Sequence, residues 1–173
     1  MPVTYSQKSK TSDNPNILLG GYRKALNTAL RILTGRDHSK SELNRKLKQR
    51  GLKSEDIEKA VSECERLDYI NDERTARVYI NQMIRKGHGL NRIRHEMNKK
   101  GLRGQRIQNI LSEIESDIDE AEGAERILKK NVKRFEREPD LKKRRDKIYR
   151  FLYARGFSQD TIRKIINKYD PSV

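Results

Sequence analysis

Apolar positions recur in a fixed frame around three glycines. Counting from Gly51, Gly101 and Gly156, Leu43, Ile93 and Ile148 stand eight residues before, and Leu47, Met97 and Leu152 four before. One residue after come Leu52, Leu102 and Phe157; six after come Ile57, Ile107 and Ile162. Ala60-Val61, Ile110-Leu111 and Ile165-Ile166 follow at nine and ten, then Cys64, Ile114 and Tyr169 at thirteen. These intervals place the apolar side chains on one face of a helix on either side of the glycine. The glycine suits a left-handed residue just past a helix end. The basic residues before it, in "KQRGL", "NKKGL" and "YARGF", suit the negative pole of the helix dipole. The anchors lie 50 and then 55 residues apart.

A further helix opens each unit. It carries Leu26, Ala29, Leu30 and Leu33 in the first and Ala76, Tyr79, Ile80 and Met83 in the second. In the third it carries Ala124, Ile127, Leu128 and Val132, then runs on through "FEREPDLKKRRD", where Pro139 interrupts it and lengthens the last period. No strand alternation occurs. The pattern predicts an all-α protein of three tandem three-helix, helix-turn-helix-like repeats, at residues 22–70, 71–117 and 118–173. Each unit is too small to hide its own apolar stripe, so stacking into an elongated, curved molecule is expected. Residues 1–21 read as a disordered basic tail.

The turn "GRDHSKSEL" at 35–43 sets Asp37, His38 and Ser39 side by side. Catalytic triads draw their members from separate segments, so this is no triad. It reads as helix initiation: Ser39 and Glu42 match the S-x-x-E capping box, and Leu43 begins the apolar stripe at once. Ser54 and Ser158 are expected to cap later helices, with Glu55, Asp56 and Asp160 in their first turns. "RKGHGLNRI" at 85–93 is the same turn one unit later, with glycine in place of the serine cap. His38 and His88 coincide in the frame, either bonding local backbone or touching a partner. With His95 and a single cysteine they make no zinc set. No metal, cofactor or catalytic residue is expected.

Charge changes the picture more than composition does. Hydrophobic residues are 33% and charged residues 38% of 173, which favours thin helical layers over one thick core. The net charge of +15 points to a polyanion or an assembly carrying one. The surplus rises along the chain, from +2 over residues 25–70 to +6 over 118–173. The candidate partner or DNA-binding surface comprises Arg36, His38, Arg45 and Lys46 in the first unit. It continues through Lys86, Arg92, Arg94, Lys99, Lys100, Arg103 and Arg106 in the second. In the third it comprises Lys142, Lys143, Arg144, Arg145, Lys147 and Arg150, with Arg155 beyond. Ser39, Glu42, Gly51, Gly101 and Gly156 are assigned to structure. No window is long and apolar enough for a membrane span. The lone Cys64 suits a reducing, cytoplasmic setting, and the closed repeat pattern suits a monomer. One alternative is a tandem helix-turn-helix DNA-binding protein, transcriptional or nucleoid-associated, although no helix concentrates base-reading side chains.

The segments "RDHSKSELNRKLKQRG" (36–51), "LDYINDERTARVYINQMIRKGHG" (67–89) and "RIRHEMNKKGL" (92–102), with the tripled layout, resemble the RecX family, regulators of the bacterial recombinase RecA. The resemblance covers about 25–170. It implies a protein that is not an enzyme and that lies in the helical groove of the RecA–single-stranded DNA filament, bridging neighbouring protomers. It would thereby restrain filament growth, strand exchange, ATP hydrolysis and co-protease action. Single-stranded DNA and, by non-specific electrostatics, duplex DNA are further implied partners. The matching motif positions are Arg36, Asp37, His38, Ser39, Glu42, Leu43, Leu47 and Gly51, then Tyr69, Ile70, Asp72, Ala76, Arg77, Lys86, Gly87, Arg92, Ile93, Glu96, Lys100 and Gly101. Thr75 departs from a common aromatic, and Asp68 from a common glycine.

Overall fold

A computed structural model describes residues 15–169, and among them no strand occurs. The first three helices are α1 (Pro15–Leu33), α2 (Lys40–Lys48) and α3 (Ser54–Arg66). A second set follows as α4 (Asp72–Arg85), α5 (Leu90–Lys99) and α6 (Gln105–Asp117). The third set is α7 (Glu120–Lys130), a short α8 (Val132–Glu136), α9 (Leu141–Ala154) and α10 (Gln159–Tyr169). The chain divides into two compact units, one up to Asn71 and one from Asp72, so the second and third repeats share a unit. Helix α1 begins at Pro15, where a missing N–H costs nothing, so residues 15–21 of the expected tail are helical. The expectation of disorder for residues 1–14 lies outside the described residues.

Each repeat has its own core, and the apolar frame builds it. Leu43, Leu47, Ile57, Val61 and Cys64 close together with Ala29 and Ile70. Ile93, Met97, Leu102, Ile107, Ile110 and Leu111 meet Ala76, Ile80 and Met83 of α4. Ile148, Leu152, Phe157, Ile162, Ile165 and Ile166 meet Ala124 and Leu128 of α7. Burying a leucine or isoleucine side chain is worth about 1.5–3 kcal/mol, so these columns carry most of the drive to fold. Thr75 is buried in α4.

The frame glycines hold left-handed φ values of +72° at Gly51, +73° at Gly101 and +85° at Gly156, where a side chain would be strained. The amides of Leu102 and Phe157 donate back to the carbonyls of Met97 and Leu152, closing the helix ends in the expected way. Asp68 is the one non-glycine at positive φ among the described residues, at +56°, which explains why glycine suits that position. The capping at Ser54 differs from expectation. Lys53 occupies the cap position without a side-chain bond, and Ser54 is already the first helical residue. Ser158 behaves as expected, its Oγ accepting from the amide of Thr161 at 3.2 Å.

The long third period becomes α8 and its flanking turns. Phe135 of α8 is buried and meets Phe151 of α9 edge-on at 5.3 Å between ring centroids. The insertion therefore adds a wall to the third repeat that the first two lack.

Candidate polyanion interface

In the first unit the basic residues follow from how α2 starts. Ser39 Oγ accepts from the amide of Glu42 at 3.0 Å, and Glu42 Oε2 accepts from the amide of Ser39 at 3.2 Å. This reciprocal cap satisfies two otherwise orphaned donors. Glu42 is nearly buried, and its other oxygen pairs with Arg36 at 3.3 Å. Arg36 is thus anchored beside the cap, its Nη1 also donating to the Asp37 carbonyl. Of the two readings open to His38, partner contact or local bonding, the contacts fit local bonding, and the side chain is only 3% exposed. Its Nδ1 lies 2.8 Å from the Arg36 carbonyl, which can only accept, so Nδ1 carries the proton and donates. Nε2 is then a buried acceptor with no partner. Burial pushes the imidazole below the ordinary histidine range, with Arg36 and Lys46 adding in the same direction. His38 is thus a neutral strut of the turn. Arg45 and Lys48, with Asn44, line an open hollow of about 510 Å³ along α2, and Lys46 lies half-buried on the same helix.

In the second repeat many expected cations are already engaged. Arg92 and Lys99 share Glu96 at 3.5 Å and 3.9 Å, and Arg106 meets Glu73 at 3.1 Å. Arg94 pairs with Glu115. Lys100 sits 4.7 Å over the Tyr79 ring, and Arg103 donates to the Asn98 carbonyl. These exposed pairs contribute little stability each and remain open to competition by a stronger anion. Lys86 closes α4 beside His88.

The third repeat is different. Lys142, Lys143 and Arg144 occupy the first turn of α9, which contains no acidic residue. Cations there oppose the helix dipole at a cost of about 0.3–1 kcal/mol each. Asp140 caps the helix through the amide of Lys143, and Glu138 binds Lys147. Arg144 donates to the Glu138 carbonyl and Arg145 to Asn167 Oδ1. A local rule broken at an exposed helix start is the kind of departure that marks a functional surface. Further along α9, Arg150 and Arg155 have no carboxylate partner among the described residues, nor has Arg134 on α8. Sequence patterning did not single out Arg134; its signal was the extra length of the third period.

No helix among the described residues is long and apolar enough to cross a membrane, and none of them form a group of three or more potential metal ligands. Successive three-helix units with left-handed glycine turns and a growing basic surplus define a basic helical-repeat protein. Models of the RecX first, second and third three-helix domains match residues 25–64, 71–111 and 118–166. A protein named regulatory protein RecX from Legionella pneumophila (strain Corby) is 37% identical over 151 residues, covering 86% of this chain and 97% of its own. One of the same name from Haemophilus influenzae (strain PittEE) is 31% identical over 145 residues, covering 83% and 93%. The crystal structure of RecX from Lactobacillus salivarius shares the fold, with a TM-score of 0.74 at 24% identity over 88% of this chain and 98% of that one. The chain belongs to the RecX family of regulatory proteins.

Proposed function

We propose that this protein regulates the RecA recombinase by lying in the helical groove of the RecA–single-stranded DNA filament. There it bridges neighbouring protomers and restrains filament growth, ATP hydrolysis, strand exchange and co-protease action. It acts as a cytoplasmic monomer without catalytic chemistry of its own, and meets single-stranded and duplex DNA through charge. One observation, read with family membership, carries this: cations recur on successive units and peak on α9, where the helix dipole opposes them. A repeating assembly of nucleic acid and protein presents anionic groups at intervals, which a tandem basic surface can meet at several points at once.

The test is the single-stranded-DNA-dependent ATP hydrolysis of RecA, measured with this protein at substoichiometric amounts. Hydrolysis should fall. Reversing Lys142, Lys143, Arg144 and Arg145 to glutamate should weaken the effect and flatten its dependence on salt between roughly 50 and 200 mM, since each lost phosphate contact reduces the counterions released. Unchanged hydrolysis, together with tight binding to one duplex sequence, would replace the proposal with a sequence-specific tandem helix-turn-helix protein.

A further inference from the structure

The insertion in the third repeat, together with the turn between α4 and α5, lines an open cavity of about 790 Å³ in the second compact unit. Its cations are Arg134 from α8, Lys147 and Arg150 from α9, and Arg155 at the α9 C-cap. The apolar wall is Phe135 and Phe151. His88 contributes from the second repeat, its Nδ1 buried and without a partner.

Three features separate this cavity from an ordinary basic surface. First, two of the three guanidiniums are held in place by rings. Arg155 lies 4.8 Å from the Phe151 centroid, and Arg134 lies 5.9 Å from the centroids of both Phe135 and Phe151. A guanidinium stacked on a ring keeps its edge N–H donors available while losing much of its freedom, so a ligand meets it partly pre-ordered. Second, Arg155 is tied to the other repeat, its Nη1 sitting 3.4 Å from the carbonyls of Lys86 and Gly87. Third, charge is unbalanced. Glu138 pairs with Lys147, and among the described residues no carboxylate pairs with Arg134, Arg150 or Arg155. Three guanidiniums drawn around one concavity repel each other unless an anion joins them.

We propose that this cavity is a phosphate-binding site, built for a ligand with several phosphate oxygens. A carboxylate offers two oxygens and satisfies a single guanidinium fork. Three forks call for the larger oxygen set and higher charge of linked phosphates. A cavity of this size also falls in the range that takes a nucleotide-sized group. The phosphates can come from a free polyphosphate chain, as in a nucleoside triphosphate, or from the backbone of a nucleic acid strand. The site does not depend on the RecA filament for its argument, and its test leaves the filament out.

Titrate the full-length protein with sodium tripolyphosphate by isothermal calorimetry, and with fluorescein-labelled oligo(dT) by anisotropy. Compare the native chain with the double substitution Arg134→Ala and Arg150→Ala, with Arg150→Gln alone, and with Arg163→Ala and Lys164→Ala, two exposed cations on α10 outside the cavity. Circular dichroism checks folding. If the double variant is misfolded, Arg150→Gln decides. Saturable tripolyphosphate binding should weaken at least tenfold in the cavity variants and less than threefold in the Arg163/Lys164 control. A parallel loss of oligo(dT) binding assigns the site to nucleic acid backbone; retained oligo(dT) binding assigns it to a free polyphosphate. Equal losses in cavity and control variants overturn the proposal, because net charge alone would then explain binding. So does the absence of saturable binding to either probe, or equal competition by polyglutamate.

Discussion

Gly89 stands where the first repeat has the cap Ser39, and the substitution Gly89→Ala shows what that exchange secures. Gly89 has φ of −79° and ψ of 166°, ordinary extended values that alanine adopts without strain. Any cost must therefore come from crowding. A Cβ there would stand 2.4 Å from the Gly156 carbonyl oxygen and 2.4 Å from the Phe157 amide nitrogen, whereas ordinary contact begins near 3.4 Å. The α9–α10 turn would have to retreat by about 1 Å. Two hydrogen bonds run through that turn: the Gly89 amide donates to the Arg155 carbonyl at 2.9 Å, and the Asn91 amide to the Gly156 carbonyl at 3.1 Å. Stretching both costs about 1 kcal/mol each. Alanine is also a poorer cap than glycine, by about 0.5 kcal/mol. The expected loss is about 2.5 kcal/mol for the unit from Asp72 onward. Gly123→Ala is the control. Gly123 lies inside α7, and a Cβ there would meet only Phe157 Cε1 at 3.9 Å, ordinary contact, so nothing is crowded. Alanine is favoured over glycine in a helix interior by about 0.8–1 kcal/mol, so no loss is expected. Urea unfolding by circular dichroism gives the two changes, because the chain has no tryptophan to report by fluorescence. Hydrogen exchange assigns them to segments. If Gly89→Ala costs no more than Gly123→Ala, the second and third repeats do not meet as described.

Glu120 is a second joint between those repeats. Its carboxylate accepts from the amide of Leu90 at 3.2 Å, and from the Thr161 hydroxyl at 2.7 Å and the Ser158 amide at 3.4 Å. Glu120→Ala should cost about 2–3 kcal/mol in urea unfolding, the range for hydrogen bonds to a charged group, and a loss under 1 kcal/mol would contradict the bridging role. Ser39→Ala removes a fully buried cap and should cost about 1–2 kcal/mol in the first unit, with faster exchange at the start of α2. Acid should act in a defined window. His38 and His88 are both held below 6.5, mainly by burial, so the unfolded chain binds their protons first. Stability is full above pH 6.5 and falls as pH drops through the lowered folded-state values. Glu63, Glu113 and Glu138 are also lowered, and Glu125 sits at about 2, but they titrate below that window. His38→Asn keeps a donor toward the Arg36 carbonyl and should flatten the midpoint-versus-pH slope between 7.5 and 5.5; an unchanged slope would count against a neutral buried His38.

Residues that answer to their own helix were legible in the sequence. The apolar columns, the left-handed glycines and the Ser39–Glu42 cap are local matters of period, φ and hydrogen-bond reach, and the three cores repeat them. His38 left two readings open, local bonding or partner contact, because a turn histidine carries no mark of burial. It went inside because its Nδ1 found a carbonyl two residues away. What stayed hidden was chemistry between repeats. Gly89 read as a weakened cap, yet it is glycine because the backbone of the next repeat occupies the space a serine would need. The donor left bare at Leu90 is satisfied by Glu120, 30 residues on. No period encodes such an exchange.

The same reasoning bears on the third repeat. An insertion that merely lengthened a loop would leave solvated side chains. This one buries Phe135, stacks Arg134 on aromatic rings and faces the unpaired Arg150 and Arg155. Charge repulsion opposes that arrangement, and the dipole opposes the cations at the start of α9. Two unfavourable terms in one repeat need a favourable one from outside the chain. An anion supplies it at both places: distributed along the exposed helix start, where salt competes readily, and concentrated in the cavity, where several guanidiniums can hold one ligand at once. Salt should therefore strip binding at Lys142 and Lys143 before it empties the cavity.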